Sequence, residues 1–144
     1  MQLTSHTDYA LRLLIYLAVH RGDTPATVQD AAIRYGISAN HLAKVAQRLV
    51  QLGYVNSHRG RGGGLELACD TNAIGLGKLV RQTENLMLVE CFGNDSECPI
   101  EPACGLKHVL HKAQQAFLGV LDDYTLADLI GQRNQLVQLL GEKA

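Results

Sequence analysis

Long apolar runs are missing from this chain. Nowhere do about 18 apolar residues stand together, so no membrane-spanning helix is expected. The opening MQLTSHTDYALRLLIYLAVH has no basic leader and no small-residue cleavage site; no signal peptide is expected, and the cytoplasm is the expected location. A catalytic pattern is also missing, since no nucleophile with a matching base and no paired carboxylates stand out, which argues against an enzyme. Cysteine is scarce, with four in 144 residues. Three of them, Cys91, Cys98 and Cys104, crowd into ECFGNDSECPIEPACGLKH. A chain of this length buries a core without disulfide staples. In a reducing compartment, clustered thiols point to metal ligands or redox-active groups rather than bridges.

Acid is absent between Asp30 and Glu66, where Arg34, Lys44, Arg48, Arg59 and Arg61 supply five positive charges and His41 and His58 stand ready to add more. The overall charge of -1 hides this asymmetry, for residues 1–68 carry a net +3 and residues 69–144 a net -4. A basic block in an otherwise balanced chain is the footprint of a phosphate-facing surface; a solvated basic face is the alternative.

The order of elements inside the block favours nucleic acid. Ala10, Leu13, Leu14 and Leu17 recur at helical spacing from about Thr4 to His20. A short helix follows from Thr27 to Tyr35, opened by the capping pattern TVQD. Gly36 makes a tight turn, and Ser38 caps a third helix, SANHLAKVAQRLVQLG, with Leu42, Val45, Ala46, Leu49 and Leu52 on one stripe. Two short helices joined through such a turn make a helix-turn-helix, whose second helix enters a major groove. YVNSH and LELA then read as strands joined by RGRGGG, residues 59–64. That hairpin is a wing. Gly62 and Gly63 let the backbone approach a phosphate or a groove floor, and Arg59 and Arg61 bring charge or reach into the minor groove. A nucleotide cradle is not expected, because RGRGGG lies between strands and lacks both G-x-G-x-x-G and a Lys-Ser/Thr pair. On the recognition helix Ser38, Asn40, His41, Lys44 and Arg48 lie off the apolar stripe. Asn40 and His41 are set for base edges, and Lys44 and Arg48 for phosphates.

The second half predicts a helix near Ile74–Glu84, the cysteine segment, a long helix from about Leu106 to Leu121, and a last helix opened by Thr125. The long helix carries Val109, Leu110, Ala113, Ala116, Phe117, Val120 and Leu121 on a broad apolar face. A regulator of palindromic DNA is a symmetric dimer, and this face is the natural seam; packing within one subunit is the alternative. The expected fold is therefore mainly α: a winged helix-turn-helix DNA-binding domain at residues 1–72 with a two-stranded wing, then a cluster-binding loop and dimerisation helices at residues 73–144.

The spacing C-x6-C-x5-C is too wide for zinc-ribbon knuckles and unlike that of ferredoxins. Three thiolates on a loop can still wrap a cluster, with Pro99 and Pro102 stiffening it and Gly93 and Gly105 letting it turn. Three ligands leave one iron for a weaker fourth, open to small molecules. A zinc site or a thiol switch remains the alternative. Cys69, after LELA, reads as a buried small hydrophobe.

Together, MQLTSHTDYALRLLIYLA, NHLAKVAQRLVQLGYVNSHRGRGGGLELA and LVECF…CPIEPACGLKHVL resemble the winged-helix iron-sulfur regulator family. That family includes nitric-oxide-sensing repressors, the iron-sulfur biogenesis regulator and rhizobial iron regulators. The resemblance runs to about Ile130, with the RGRGGG wing and the three cysteines as its most specific parts. It implies a homodimer on palindromic double-stranded operator DNA, repressing nitric oxide detoxification genes and releasing them when nitric oxide nitrosylates its iron-sulfur cluster. The implied cofactor is 4Fe-4S, with 2Fe-2S as the alternative, held by Cys91, Cys98 and Cys104. The implied fourth ligand is a carboxylate near the N-terminus of the other subunit, a position that Asp8 matches. By itself Asp8 reads only as a first-turn acid favourable to the helix dipole. The biogenesis regulator uses a His shortly after the third cysteine; His108 stands one residue beyond that pattern and is a weaker match than Asp8. The rival readings are an iron- or cluster-status regulator of the same fold, a zinc or thiol-switch DNA binder, and an electron-transfer or cluster-carrier protein. The last leaves the basic block and the wing without a purpose.

Overall fold

The computed structural model of the chain describes residues 1–141. It is mainly helical, with one two-stranded antiparallel sheet. Helix α1 (Ser5–Val19) starts where Thr4 Oγ1 accepts a hydrogen bond from the Thr7 amide, and its Ala10, Leu13, Leu14 and Leu17 are buried as their spacing predicts. Helix α2 (Val28–Tyr35) starts under the Thr27 hydroxyl, which accepts from the Asp30 amide at 3.0 Å. It stops at Gly36, whose φ of 65° allows the Ile37 amide to donate back to the Ala32 carbonyl at 3.0 Å. An L-side chain pays for that left-handed turn and glycine does not. Helix α3 (Ala39–Gln51) therefore begins almost at once, with Ser38 Oγ accepting from the His41 amide at 3.2 Å. Leu42, Val45, Ala46 and Leu49 face α1 and α2, and Leu52 is half-buried.

Strands β1 (Val55–His58) and β2 (Gly64–Leu67) pair from Val55↔Leu67 to His58↔Gly64. The hairpin is fastened to the body where the Leu65 amide donates to the Ala26 carbonyl at 2.7 Å. Gly64 makes this docking possible: a Cβ there would lie 2.8 Å from Pro25 Cβ and closer still to the Ala26 carbonyl oxygen. Both neighbours are held by the fold and neither can swing away. Gly64→Ala is therefore expected to lower stability by about 1–3 kcal/mol, the range for overpacking. A drop in the urea midpoint at unchanged slope checks it.

The chain then passes through a 3-10 turn (Thr71–Ala73) into α4 (Leu76–Thr83), the cysteine segment with 3-10 turns at Glu90–Phe92 and Glu101–Ala103, and α5 (Gly105–Asp122). Arg81 joins α4 to α5 through a two-pronged bridge to Asp122, at 2.5 and 2.9 Å, which holds the Asp122 carboxyl below its ordinary range. The single last helix expected from Thr125 is instead two: α6 (Leu126–Leu129), with its Thr125–Asp128 capping box intact, and α7 (Arg133–Leu139). Gly131, a poor helix former, falls in the break. These helices turn back, so that Leu126, Val137 and Leu140 share one core with Leu13, Leu14, Leu42 and Leu49. The core thus extends past residue 72. Among the described residues no helix is long and apolar enough to cross a membrane.

The structure divides α5 more finely than its sequence does. Leu118, 1 % exposed, and Gln114 are its buried residues, and α5 packs on α4. The predicted apolar face points elsewhere: Val109 and Val120 are 63 % and 59 % exposed, Ala113 and Ala116 are also exposed, and Leu110, Phe117 and Leu121 are half-buried. Leu106, at 62 %, extends this stripe by one turn.

Candidate DNA-reading surface and cysteine-lined cavity

Ser38, Asn40, Lys44 and Arg48 are exposed on α3, and Arg59 and Arg61 at the wing tip. A groove of about 430 Å³ between α3 and the wing, lined by Ala43, Gln47, Val50, Ser57 and Arg59, puts both elements on one face. Lys44, Arg59 and Arg61 have no ion-pair partner among the described residues. Their charge is thus uncompensated among the described residues and open to phosphate. Glu66, the acid that ends the basic block, is occupied by His58 Nε2 at 2.7 Å.

Two expected readers are partly committed to the protein. His41 is half-buried, its ring edge-on to Tyr9 with centroids 4.8 Å apart. Arg48 donates through Nη2 to the Gln82 carbonyl at 3.4 Å. Gly62 has φ 73°, a turn conformation that favours glycine. Gly63 is confined by its own hairpin, where a Cβ would sit 2.8 Å from the Gly60 carbonyl oxygen and nearer still to that of His58. The glycines shape the tip first, and any close approach to DNA follows from that shape.

Cys91, Cys98 and Cys104 all line one cavity of about 220 Å³, with Val89, Ile100 and Leu110 among its apolar walls. All three thiols are free and half-buried. Among the described residues no three His, Cys, Asp or Glu side chains are grouped to hold a metal ion as they stand. The donor chemistry nevertheless fits a thiolate-bound iron-sulfur cluster: three sulfurs on one largely apolar cavity, with a cation beside them. That cation is Lys107. Its Nζ donates to Glu101 Oε1 at 2.7 Å, and this bond, with smaller electrostatic help from the nearby Cys91 and Cys104, raises its pKa. The Lys107 hydrogen bond, helped by the Ser96 hydroxyl, lowers that of Glu101.

Asp8 lies outside this cavity, on α1, held by Arg12 at 2.9 and 3.0 Å and half-exposed. His108 is also outside it, on a wider neighbouring hollow of about 630 Å³ that shares Cys91 and Lys107 and includes His111 and Gln114. Cys69, expected to be a buried small hydrophobe, packs against the core but is only half-buried. Sequence reasoning missed Lys107 and Glu101, because a six-residue pairing across a Pro-containing turn follows no helical or strand period.

The family pattern of Rrf2, described as an iron-dependent transcriptional regulator, matches residues 3–132. The HTH-type transcriptional regulator NsrR of Bacillus subtilis (strain 168) is 50 % identical over 145 residues, covering 99 % of each chain. Among solved structures, T. potens IscR aligns with TM-score 0.71 and 27 % identity over 92 % of this chain and 88 % of its own. The global cysteine regulator CymR of B. subtilis aligns with TM-score 0.70 and 28 % identity over 90 % and 95 %. The helix-turn-helix, the basic wing and these likenesses together make the chain a DNA-binding transcriptional regulator, and it belongs to the Rrf2 family.

Proposed function

We propose that this regulator acts as a homodimeric repressor whose iron-sulfur cluster, 4Fe-4S with 2Fe-2S as the alternative, makes operator binding responsive to nitric oxide. The observation that carries the reading is the single cavity lined by all three clustered cysteines. Cys91, Cys98 and Cys104 would hold the cluster, and Asp8 of the partner subunit would complete the set. Bound there, the cluster supplies iron with one weakly held coordination position that nitric oxide can attack. Lys107 would offset the negative charge of cluster-bound thiolates, within a largely apolar lining.

The exposed α5 stripe Leu106–Val109–Ala113–Ala116–Val120 is the dimer seam, and it starts directly after Cys104. A change in loop shape at Cys104 therefore acts on the seam, and hence on the separation of the two recognition helices, which must sit about one DNA turn apart. Asn40 and His41 face base edges, and Ser38, Lys44, Arg48, Arg59 and Arg61 face phosphates, with Gly62 and Gly63 shaping the wing.

Protein purified without air and assayed for iron, acid-labile sulfide and zinc tests the proposal. Iron and sulfide in equal amounts support it. Zinc, or neither metal, leaves the DNA-binding unit standing and turns the cysteines into a zinc site or thiol switch. Val109→Asp is expected to yield monomers in sedimentation and to abolish operator binding, because a buried unpaired carboxylate costs several kcal/mol. Asp8→Ala is expected to leave the three thiolates loaded but to shift the visible spectrum and weaken the nitric oxide response about tenfold or more. A full response with an unchanged spectrum removes Asp8 from the ligand set.

A further inference from the structure

Three successive residues at the end of α4 reach three parts of the DNA-binding unit. The Gln82 side-chain oxygen accepts from the Tyr54 hydroxyl at 2.5 Å, at the root of the wing, and its carbonyl accepts from Arg48 of α3 at 3.4 Å. Thr83 Oγ1 lies 3.0 Å from Thr7 Oγ1 on α1. The Glu84 carboxylate accepts from the Thr7 hydroxyl at 2.5 Å, the Thr4 hydroxyl at 3.1 Å and the Thr4 amide at 3.1 and 3.3 Å. Thr7 is fully buried and Tyr54 nearly so. Water cannot readily replace the bonds to Thr7 and Tyr54, and breaking them strands a buried hydroxyl, whereas the bonds to Thr4 and Arg48 are open to solvent.

The same residues lead straight into the cysteine segment. Two positions beyond Glu84, the Leu86 carbonyl accepts from the buried Gln114 amide of α5. Leu86 and Gln114 both line the hollow that also holds Cys91. From the hollow that Cys91 shares with Leu86 and Gln114, the chain itself leads through residues 86 to 82 to the hydrogen bonds with α1, α3 and the root of the wing. Apolar contacts can slide when a loop moves, whereas hydrogen bonds weaken steeply with distance and angle. Helices tied by such bonds follow the end of α4.

We propose that Gln82, Thr83 and Glu84 are positioning residues through which the shape of the cysteine loop sets the tilt of α1 and α3, and with it operator affinity. The proposal rests on the cluster-sensor reading above. None of the three residues touches the cysteines or lies on the DNA-reading face. Their effect is on the difference between two states rather than on either state alone, which is what coupling between sites means.

Full-length Tyr54→Phe, Gln82→Ala and Glu84→Gln, prepared without air, test this against the wild type. The probe is a duplex selected from a random-sequence pool by the loaded wild-type protein, and Kd is measured for each protein loaded and after its iron is removed by chelation. The wild-type ratio of the two Kd values is expected within the roughly 5- to 150-fold range of allosteric couplings. Glu84→Gln is expected to bring it to about twofold or less at wild-type iron content, and Gln82→Ala and Tyr54→Phe, which delete the same hydrogen bond, to reduce it partway and alike. A purely structural role lowers the melting temperature and leaves the ratio intact, so an unchanged ratio in the variants that fold and load iron overturns the proposal. Tyr54→Phe, which deletes a single hydroxyl, keeps the test in hand if Glu84→Gln does not fold. A wild type with equal affinity in both states overturns the sensor reading itself, and this inference with it.

Discussion

Replacing Arg59 and Arg61 together with alanine is expected to weaken operator binding by about a thousandfold at roughly 0.15 M salt. Both side chains are exposed at the wing tip and have no ion-pair partner among the described residues, so their charge is free for phosphate. A symmetric dimer presents four such arginines. Each neutralised phosphate contributes about 0.9 to the slope of log K against log salt, which at this ionic strength amounts to about fivefold per contact. The salt slope should therefore become shallower by about three to four. Titration of one duplex at several salt concentrations measures both quantities. Lost affinity with an unchanged slope means that the arginines read bases or shape the wing instead of meeting phosphates. Unchanged affinity takes the wing tip out of the interface.

The second large effect is expected at the cysteines. Cys98→Ser replaces a sulfur donor with a hydroxyl, a poor ligand for iron, on a cavity with only two other thiols. Iron content should fall to about a tenth of the wild-type value or less, with the visible absorbance lost in proportion. Cys91→Ser and Cys104→Ser should behave alike. Cys69→Ser is the internal control: its sulfur packs half-buried against the core, away from the cavity, and iron should stay at the wild-type level. Full iron retention in Cys98→Ser removes that residue from the ligand set. Iron loss in Cys69→Ser as well points to a general folding defect.

The DNA-binding half is legible in the sequence because its signals are local. Thr27 and Ser38 cap helices that begin one residue later, Gly36 supplies the left-handed turn between them, and the strands lie within one residue of the runs that announce them. The caps and the turn depend on neighbours a few positions away, and the strands on partners no more than twelve away. The second half depends on distant partners, and there the sequence falls short. Nothing near Leu126, Val137 or Leu140 signals that they return to the core of α1. The face of α5 that packs within the chain is marked by Leu118 and by a glutamine, Gln114, which periodicity counts as polar and the structure buries against a loop carbonyl.

The candidate site divides in the same way. Three clustered cysteines suggest a common centre, and they do line one cavity, but Lys107 and Glu101 beside them leave no sequence period to follow. Asp8 carries no signal of its own, since an acid in a first helical turn paired with Arg12 four residues on is ordinary helix chemistry. Gln82, Thr83 and Glu84 are hidden for the opposite reason. Their partners Tyr54, Thr7 and Thr4 lie 28 to 80 positions away, and only folding brings them together.

The most direct test of the central claim is a titration of the loaded, air-free protein with nitric oxide, following its visible absorbance and its binding to the selected duplex in the same samples. The absorbance of thiolate-bound iron is expected to bleach, and DNA to be released, over the same few equivalents of gas. Bleaching with the DNA still held, or a colourless protein that binds the duplex regardless of the gas, contradicts that claim.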